Sequence, residues 1–199
     1  MSVAKSDSNK RIPSTVWWAL FWGALLAGIL VGVPMWRIHM AMRQDRFDSM
    51  ILRAAGENGC DPSLVKAVIW RESRFDPTVH GKDGELGLMQ VMPSVAIEWA
   101  KARGLKDFNS SELLDPATNI RIGSWYLSKS IQQWVQASEP VPLALAQYNA
   151  GRSNVLKWVD AGSMGDAEHF IQQIQFPSTR SYVRDILTQY RLYRHRGEF

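Results

Sequence analysis

The sequence is poor in the residues that staple or metallate a fold. It has one cysteine, Cys60, in 199 residues, so no disulfide can form within the chain and the fold must rest on its apolar core. Its four histidines, His39, His80, His169 and His195, stand far apart, with no cysteine or carboxylate at ligand spacing, so no metal site is read from them. Repeats and low-complexity tracts are missing too. The basic pI of about 9.3 is only a nominal excess: setting aside Lys5, Lys10, Arg11 and Asp7, which precede Trp36, leaves 20 basic and 18 acidic residues. A near-neutral body has no basic face for nucleic acid, and none is expected as a partner. Arg184, Arg191, Arg194 and Arg196 do gather near the end, where they read as a solvated helix terminus whose dipole suits cations. What the chain does have is 46% apolar residues, enough for a core, and a length that suits one ordinary domain plus an appendage.

The appendage is the N-terminal run from Val16 to Met35, which contains no charge. At about 1.5 Å per helical residue it spans about 30 Å, the thickness of a bilayer's hydrocarbon core. Trp17, Trp18, Trp22 and Trp36 flank it as interfacial aromatics do, and the run is apolar on every face, unlike a core helix. A cleaved signal peptide is the rival reading, but its apolar region is shorter and ends in small residues, whereas this run ends in Val33-Pro34-Met35-Trp36. The expected organisation is a short tail over 1–15, a transmembrane anchor over 16–36, a linker over 37–44 and one domain over 45–199. Basic residues on both flanks leave the orientation open. Ala24, Gly28 and Gly32 form a stripe of small residues that offers a weak route to pairing of two anchors.

Beyond the linker, helical patterns follow one another with clear punctuation. Asp45 to Asn58 reads as a helix closed by Gly59. Asp61-Pro62 is an N-cap followed by proline at the first helical position, opening a helix to about Arg74. Gly81 to Gly87, with a turn at Asp83-Gly84, interrupts the series. Pro93-Ser94 opens a helix ending before Gly104, Asp115-Pro116 a long one towards Trp134, and Pro142 a short one ending at Gly151; Ser153, Asp166 and Ser178 are further starts. The fold class expected is mainly α, with one small extended region near residues 80–91.

One carboxylate stands out. Leu64, Val68 and Glu72 are spaced four apart, so Glu72 continues an apolar stripe. The positions three and four away from it hold Val68, Ile69, Phe75 and Asp76, so no helical salt bridge is available. Desolvation of an unpaired carboxylate disfavours its charged form, which keeps a general acid protonated near neutral pH. By spacing alone, a solvent-exposed glutamate at a helix end remains the plainer alternative.

The motifs carry more than the spacing does. Glu72-Ser73-Arg74-Phe75-Asp76-Pro77 is followed by Gly87-Leu88-Met89-Gln90-Val91-Met92-Pro93, by Asn119-Ile120-Arg121-Ile122-Gly123-Ser124-Trp125-Tyr126-Leu127, by Ala146-Gln147-Tyr148-Asn149-Ala150-Gly151 and by Thr179-Arg180-Ser181-Tyr182-Val183. This ordered set resembles the SLT-type lytic transglycosylase domain, a relative of goose-type lysozyme, over roughly residues 48–195. The resemblance implies a lysozyme-like helical fold with a cleft, and no cofactor. It implies Glu72 as the single catalytic acid/base, Ser73 as its support, Met89 and Gln90 lining the sugar cleft, Tyr148 and Asn149 facing the carboxyl and the glycan, and Tyr182 near the cleft. The chain departs from the family pattern where His80 replaces a frequent serine, Glu85 an alanine, Val95 a threonine, and Ser178 the usual glutamate.

The resemblance further implies the substrate, peptidoglycan glycan strands, and the chemistry: cleavage of the β-1,4 bond between N-acetylmuramic acid and N-acetylglucosamine with closure of a 1,6-anhydro ring. A two-carboxylate glycosidase needs a second acid, and Asp76, Asp83 and Glu85 are the nearest in sequence, but spacing alone places none of them as a partner. Two rival readings stay open, a goose-type lysozyme that hydrolyses with water and a non-catalytic peptidoglycan-binding scaffold. Peptidoglycan lies outside the inner membrane, so the expected topology is single-pass, N-terminus cytoplasmic and domain periplasmic, with an envelope or secretion complex as a further partner.

Overall fold

A computed structural model describes residues 14–199; the side chains at 14, 16, 19–20 and 36–43 lie outside the described set. The chain divides into two units, Met1–Asp45 and Arg46–Phe199. The tail expected over 1–15 falls almost wholly outside the described residues.

The first unit is one helix, α1 (Ser14–Asp45), with Pro34 inside it. The linker expected over 37–44 is therefore helical. The reason is visible in the residues after Trp36: Arg37 to Asp45 contains neither glycine nor proline, and alanine, methionine, arginine and glutamine favour the helix. Every side chain from Phe21 to Met35 is exposed. Among the described residues no helix is long and apolar enough to cross a membrane. The structure thus does not establish the transmembrane span over 16–36.

The second unit is mainly α, as the punctuation predicts. Helix α2 (Asp48–Asn58) ends on Gly59 in the left-handed conformation, and α3 (Pro62–Ser73) begins under the Asp61 cap, whose carboxylate accepts the Ser63 N–H. Then come α4 (Pro93–Ala102), a 3₁₀ turn (Ser110–Leu114), α5 (Pro116–Gln133), α6 (Pro140–Ala150), α7 (Arg152–Trp158), α8 (Ala167–Gln173) and α9 (Pro177–Arg196). Helix α6 starts two residues before Pro142, with Pro140 in its first turn. Helices α2 and α5, α3 and α9, α5 and α6, and α6 and α9 pack together.

Helix α3 runs through the middle of this core. Ser63 to Ile69 are all buried. Lys66 is buried with them, paired with Asp48 at 2.9 Å and Glu198 at 3.0 Å, and its ammonium lies 5.3 Å and 5.0 Å from the ring centres of Tyr193 and Phe199. Burial on all sides leaves α3 little freedom to rotate, and its last turn carries Glu72.

The extended region expected near 80–91 is tighter than a strand. Two isolated antiparallel bridges, His80 with Leu86 and Leu86 with Val91, are all that form there. Asn119 of α5, fully buried, holds this loop: its Oδ1 accepts the Met89 N–H at 2.8 Å, and its Nδ2 donates to the carbonyls of Leu86 at 2.7 Å and Leu113 at 2.8 Å. Gly87 is what lets Asn119 approach. Its φ is +73°, and a Cβ there would lie 2.5 Å from Asn119 Nδ2. Replacing Asn119 by alanine leaves the Met89 N–H and the Leu113 carbonyl without that partner, while the Leu86 carbonyl keeps the Val91 N–H. At roughly 1–3 kcal/mol for each buried group left unpaired, and with partial relaxation, Asn119→Ala is expected to cost about 3 kcal/mol or more in urea unfolding. A midpoint within error of the parent would show that the loop stands without it.

Candidate active site

Helix α3 ends one residue after Glu72, and the chain then turns sharply. Arg74 and Phe75 both adopt left-handed backbone, at φ 52° and 61°, and Gln90 does so at 47°. Non-glycine residues in that region cost on the order of 1–3 kcal/mol each, and such strain gathers where geometry serves function. Ser73 is buried and joins the two strained segments: its Oγ donates to the Leu88 carbonyl at 2.8 Å and lies 3.2 Å from that of Ile69. The end of α3 is thereby tied to the loop that follows.

Glu72 is only half-buried as a residue, since it opens onto the cleft, but its carboxyl is deeply desolvated. Tyr182 of α9, buried, donates its hydroxyl to Glu72 Oε1 at 2.7 Å. The neighbouring Arg71 is engaged elsewhere, its Nε donating to Asp185 Oδ2 at 3.1 Å and its guanidinium 5.5 Å from the centre of the Tyr182 ring. Burial pushes the Glu72 carboxyl from 4.5 up to about 7. The Tyr182 hydrogen bond and the charge of Arg71 draw it down, and the charge of Glu85 adds to the rise. Burial also holds the hydroxyls of Tyr148 and Tyr182 well above the ordinary tyrosine range, and the Glu72 charge adds to both shifts. Both phenols therefore remain donors.

Glu72 lies on a cleft of about 430 Å³, whose polar wall includes Asp83, Glu85, Gln90, Tyr148 and Asn149. Gln90 is held by two bonds, its Nε2 donating to the carbonyls of Gly87 at 2.8 Å and Val79 at 3.1 Å. The Tyr148 hydroxyl donates to the Met89 carbonyl at 2.9 Å, and its ring packs against Tyr126 with centroids 5.3 Å apart. Asn149 is exposed at the cleft, and its Oδ1 accepts the Thr179 hydroxyl at 2.7 Å.

The sequence-derived site thus comes together in part at the cleft surface and in part behind it. Glu72, Gln90, Tyr148 and Asn149 line the cleft. Ser73 and Tyr182 lie behind it and bear on Glu72 or its helix. Met89 was expected to line the cleft with its side chain, but that side chain is fully buried against Gly123, and only its carbonyl serves the site. Ser178 is exposed on the first turn of α9 and does not line the cleft. Sequence reasoning did not place Asp83 and Glu85 there, nor did it single out Tyr126 or Thr179. The turn at Asp83-Gly84 was the one available signal, since a tight turn brings its flanking carboxylates to a common tip.

A helical domain presenting one desolvated, tyrosine-bound carboxyl in an open polar cleft is of the lysozyme-like class. More particularly, the Transglycosylase SLT domain matches residues 49–171, and the chain belongs to that family. It is 34% identical over 182 residues to the soluble lytic murein transglycosylase of Salmonella typhimurium, covering 90% of this chain and 27% of that relative. It is 33% identical over 131 residues to the membrane-bound lytic murein transglycosylase C of Histophilus somni, covering 63% of this chain and 36% of that one. Its fold is similar to the crystal structure of the lytic transglycosylase Slt of Pseudomonas aeruginosa, solved as an inactive mutant with one glutamate replaced by glutamine. The TM-score is 0.67 at 29% identity, over 75% of this chain and 24% of that one. The chain spans about a quarter of the length of the first of these relatives.

The raised Glu72 value has a consequence for stability. A carboxyl that titrates at 4.5 when unfolded and near 7 when folded is uncharged in both states below pH 4.5, so folding carries no penalty there. As pH rises through 7 the folded state must bury a charge. At 1.36 kcal/mol per pKa unit, the stability present at low pH falls by about 3 kcal/mol. Glu72→Gln removes that loss, so the variant should gain about 3 kcal/mol on the parent at pH 8 relative to their difference at pH 4, read by urea denaturation. Parallel pH profiles would mean that Glu72 is not desolvated.

Proposed function

We propose that this chain is a peptidoglycan lytic transglycosylase in which one residue, Glu72, serves ring closure as general acid and then as general base. The observation that carries the reading is the Glu72 carboxyl, held by Tyr182 in a polar cleft and pushed by burial to about 7. A group titrating there is substantially protonated at neutral pH and still a competent base once it has lost its proton. Membership of the SLT family supports the substrate class, and so do the murein transglycosylase names of the relatives. The inactive glutamate-to-glutamine relative supports reliance on one glutamate.

In this mechanism the glycan lies in the cleft against Gln90, Tyr148 and Asn149. Glu72 gives its proton to the oxygen between N-acetylmuramic acid and N-acetylglucosamine, and the bond to the anomeric carbon breaks with its electron pair leaving on that oxygen. The sugar's own N-acetyl group stabilises the positive charge. The Glu72 carboxylate then takes the proton from the primary hydroxyl, whose oxygen closes on the anomeric carbon to form the 1,6-anhydro ring. Tyr182 positions the carboxyl through both steps, Ser73 fixes the helix end that carries it, and the Met89 carbonyl orients Tyr148. Digestion of purified sacculi by the full chain should release anhydro-muropeptides, identified by mass spectrometry, and Glu72→Gln should lower their rate by about 10²-fold or more. An active Glu72→Gln protein would sink this mechanism, and sacculus binding without turnover by the parent would favour the scaffold reading.

We further propose that α1 tethers the domain to the inner membrane through residues 16–36, with the N-terminus cytoplasmic and the domain periplasmic, beside an envelope or secretion complex. The uncharged run from Val16 to Met35 and the exposed apolar side chains within 21–35 support the tether, and one relative is named membrane-bound. The full chain should stay with the membrane pellet in alkaline carbonate and leave it in detergent. Release by carbonate alone would rule out a spanning tether.

A further inference from the structure

The cleft holds a carboxylate that the mechanism above does not use. Glu85 sits on the turn between His80 and Leu86 and lines the same cleft as Glu72. Its carboxylate is positioned rather than loose: Oε2 accepts the Asp83 N–H at 3.0 Å, and the Glu85 carbonyl accepts the Gly81 N–H at 2.8 Å. The carboxyl lies so close over Gly81 that a Cβ at that position would collide with it, and Gln90 Oε1 would be 2.9 Å from that same Cβ. Glycine at 81 is thus what lets Glu85 fold over the turn beside Gln90. Among the described residues, no basic side chain forms an ion pair with Glu85.

Two carboxyl groups share one cleft in contrasting settings. Glu72 is desolvated and bonded to a neutral phenol, whereas Glu85 is half-buried at the rim and accepts a backbone N–H. A glycosidase that hydrolyses needs two carboxyl groups facing one cleft, one to protonate the leaving oxygen and one to receive the proton of water. We propose that Glu85 is a second catalytic carboxylate, which takes a proton from water attacking the anomeric carbon, so that this chain releases hydrolysed reducing ends alongside the ring-closed ones. The inference rests on the reading of Glu72 as the acid.

The step balances as follows. Glu72 gives its proton to the departing glycosidic oxygen as the bond to the anomeric carbon breaks. The water oxygen forms the new bond to that carbon, and the water's proton passes to the Glu85 carboxylate. Glu72 is left as the carboxylate and Glu85 as the acid, and exchange with solvent restores both. Ring closure and hydrolysis then compete for the same activated sugar: one uses the substrate's own hydroxyl with Glu72 as base, the other uses water with Glu85.

The test is digestion of sacculi in H₂¹⁸O by the full chain and by Glu85→Gln, with mass spectrometry of the ends. Labelled reducing ends report hydrolysis, and anhydro ends carry no label. Glutamine keeps an oxygen for the Asp83 N–H, and anhydro ends in the same digest show that the variant folds and cleaves. The parent should give both kinds of end, and in Glu85→Gln the ratio of labelled to anhydro ends should fall by about tenfold or more. Anhydro ends alone from the parent, or an unchanged ratio in the variant, would overturn the role of Glu85 and leave that of Glu72 standing. A variant that makes neither end would also overturn it, since Glu85 would then serve the shared bond-breaking step. A parent that makes neither end would overturn the reading of Glu72 and this one with it.

Discussion

Keeping a carboxyl out of water while withholding a full ionic partner from it is the constraint on which the arrangement of this domain depends. Glu72 is placed on the last turn of a helix sealed on its other faces from Ser63 to Ile69, so the side chain has one way to point. The group that meets it is a phenol, Tyr182, brought by the last helix. A phenol stabilises a carboxylate by one hydrogen bond without the Coulombic pull that would hold it ionised. The cation next in sequence, Arg71, is drawn towards Asp185 on the same last helix. Packing of α3 against α9 therefore does two things together: it supplies the hydrogen bond, and it moderates the nearest positive charge.

The wall across from that helix is organised by an amide rather than by a sheet. Asn119 satisfies three backbone groups of residues 86–113, and that lets a segment with almost no β-structure hold its shape. Gly87 gives Asn119 its approach, Ser73 ties the segment to the end of α3, and the Met89 carbonyl carries the Tyr148 hydroxyl. The strained backbone at Arg74, Phe75 and Gln90 lies within or beside this network. Each bond is modest by itself, but the groups are buried, so losing one strands others without water to replace it. Rigidity at the cleft comes from that interdependence.

Much of this was legible beforehand, and the failures are instructive. Asp61-Pro62, Pro93, Asp115-Pro116 and Asp166 marked helix starts because capping and a fixed φ are local chemistry, decided by neighbours in the chain. The four-residue stripe ending in Glu72 was legible for the same reason. The connector over 37–44 is helical, a conformation its polar composition left open, because without glycine or proline nothing there stops the helix. Met89 was misplaced because a motif names a residue without saying whether its side chain or its carbonyl faces the cleft. In the turn after Gly87 the side chain is buried, and the carbonyl accepts the Tyr148 hydroxyl.

The sequence by itself determined the helical class and the main element boundaries of the domain, and it singled out Glu72 as a carboxylate on an apolar stripe with no helical salt-bridge partner, since all three follow from spacing within about a dozen residues. Only the tertiary structure decided what surrounds that carboxylate. The bond from Tyr182 crosses 110 residues, Thr179 reaches Asn149 across 30, and Arg71 finds Asp185 across 114. The arrival of Glu85 in the cleft depends on how a short turn stacks against Gly81 and Gln90. Desolvation and charge proximity depend on distance in space, and distance along the chain says little about that until the helices have packed.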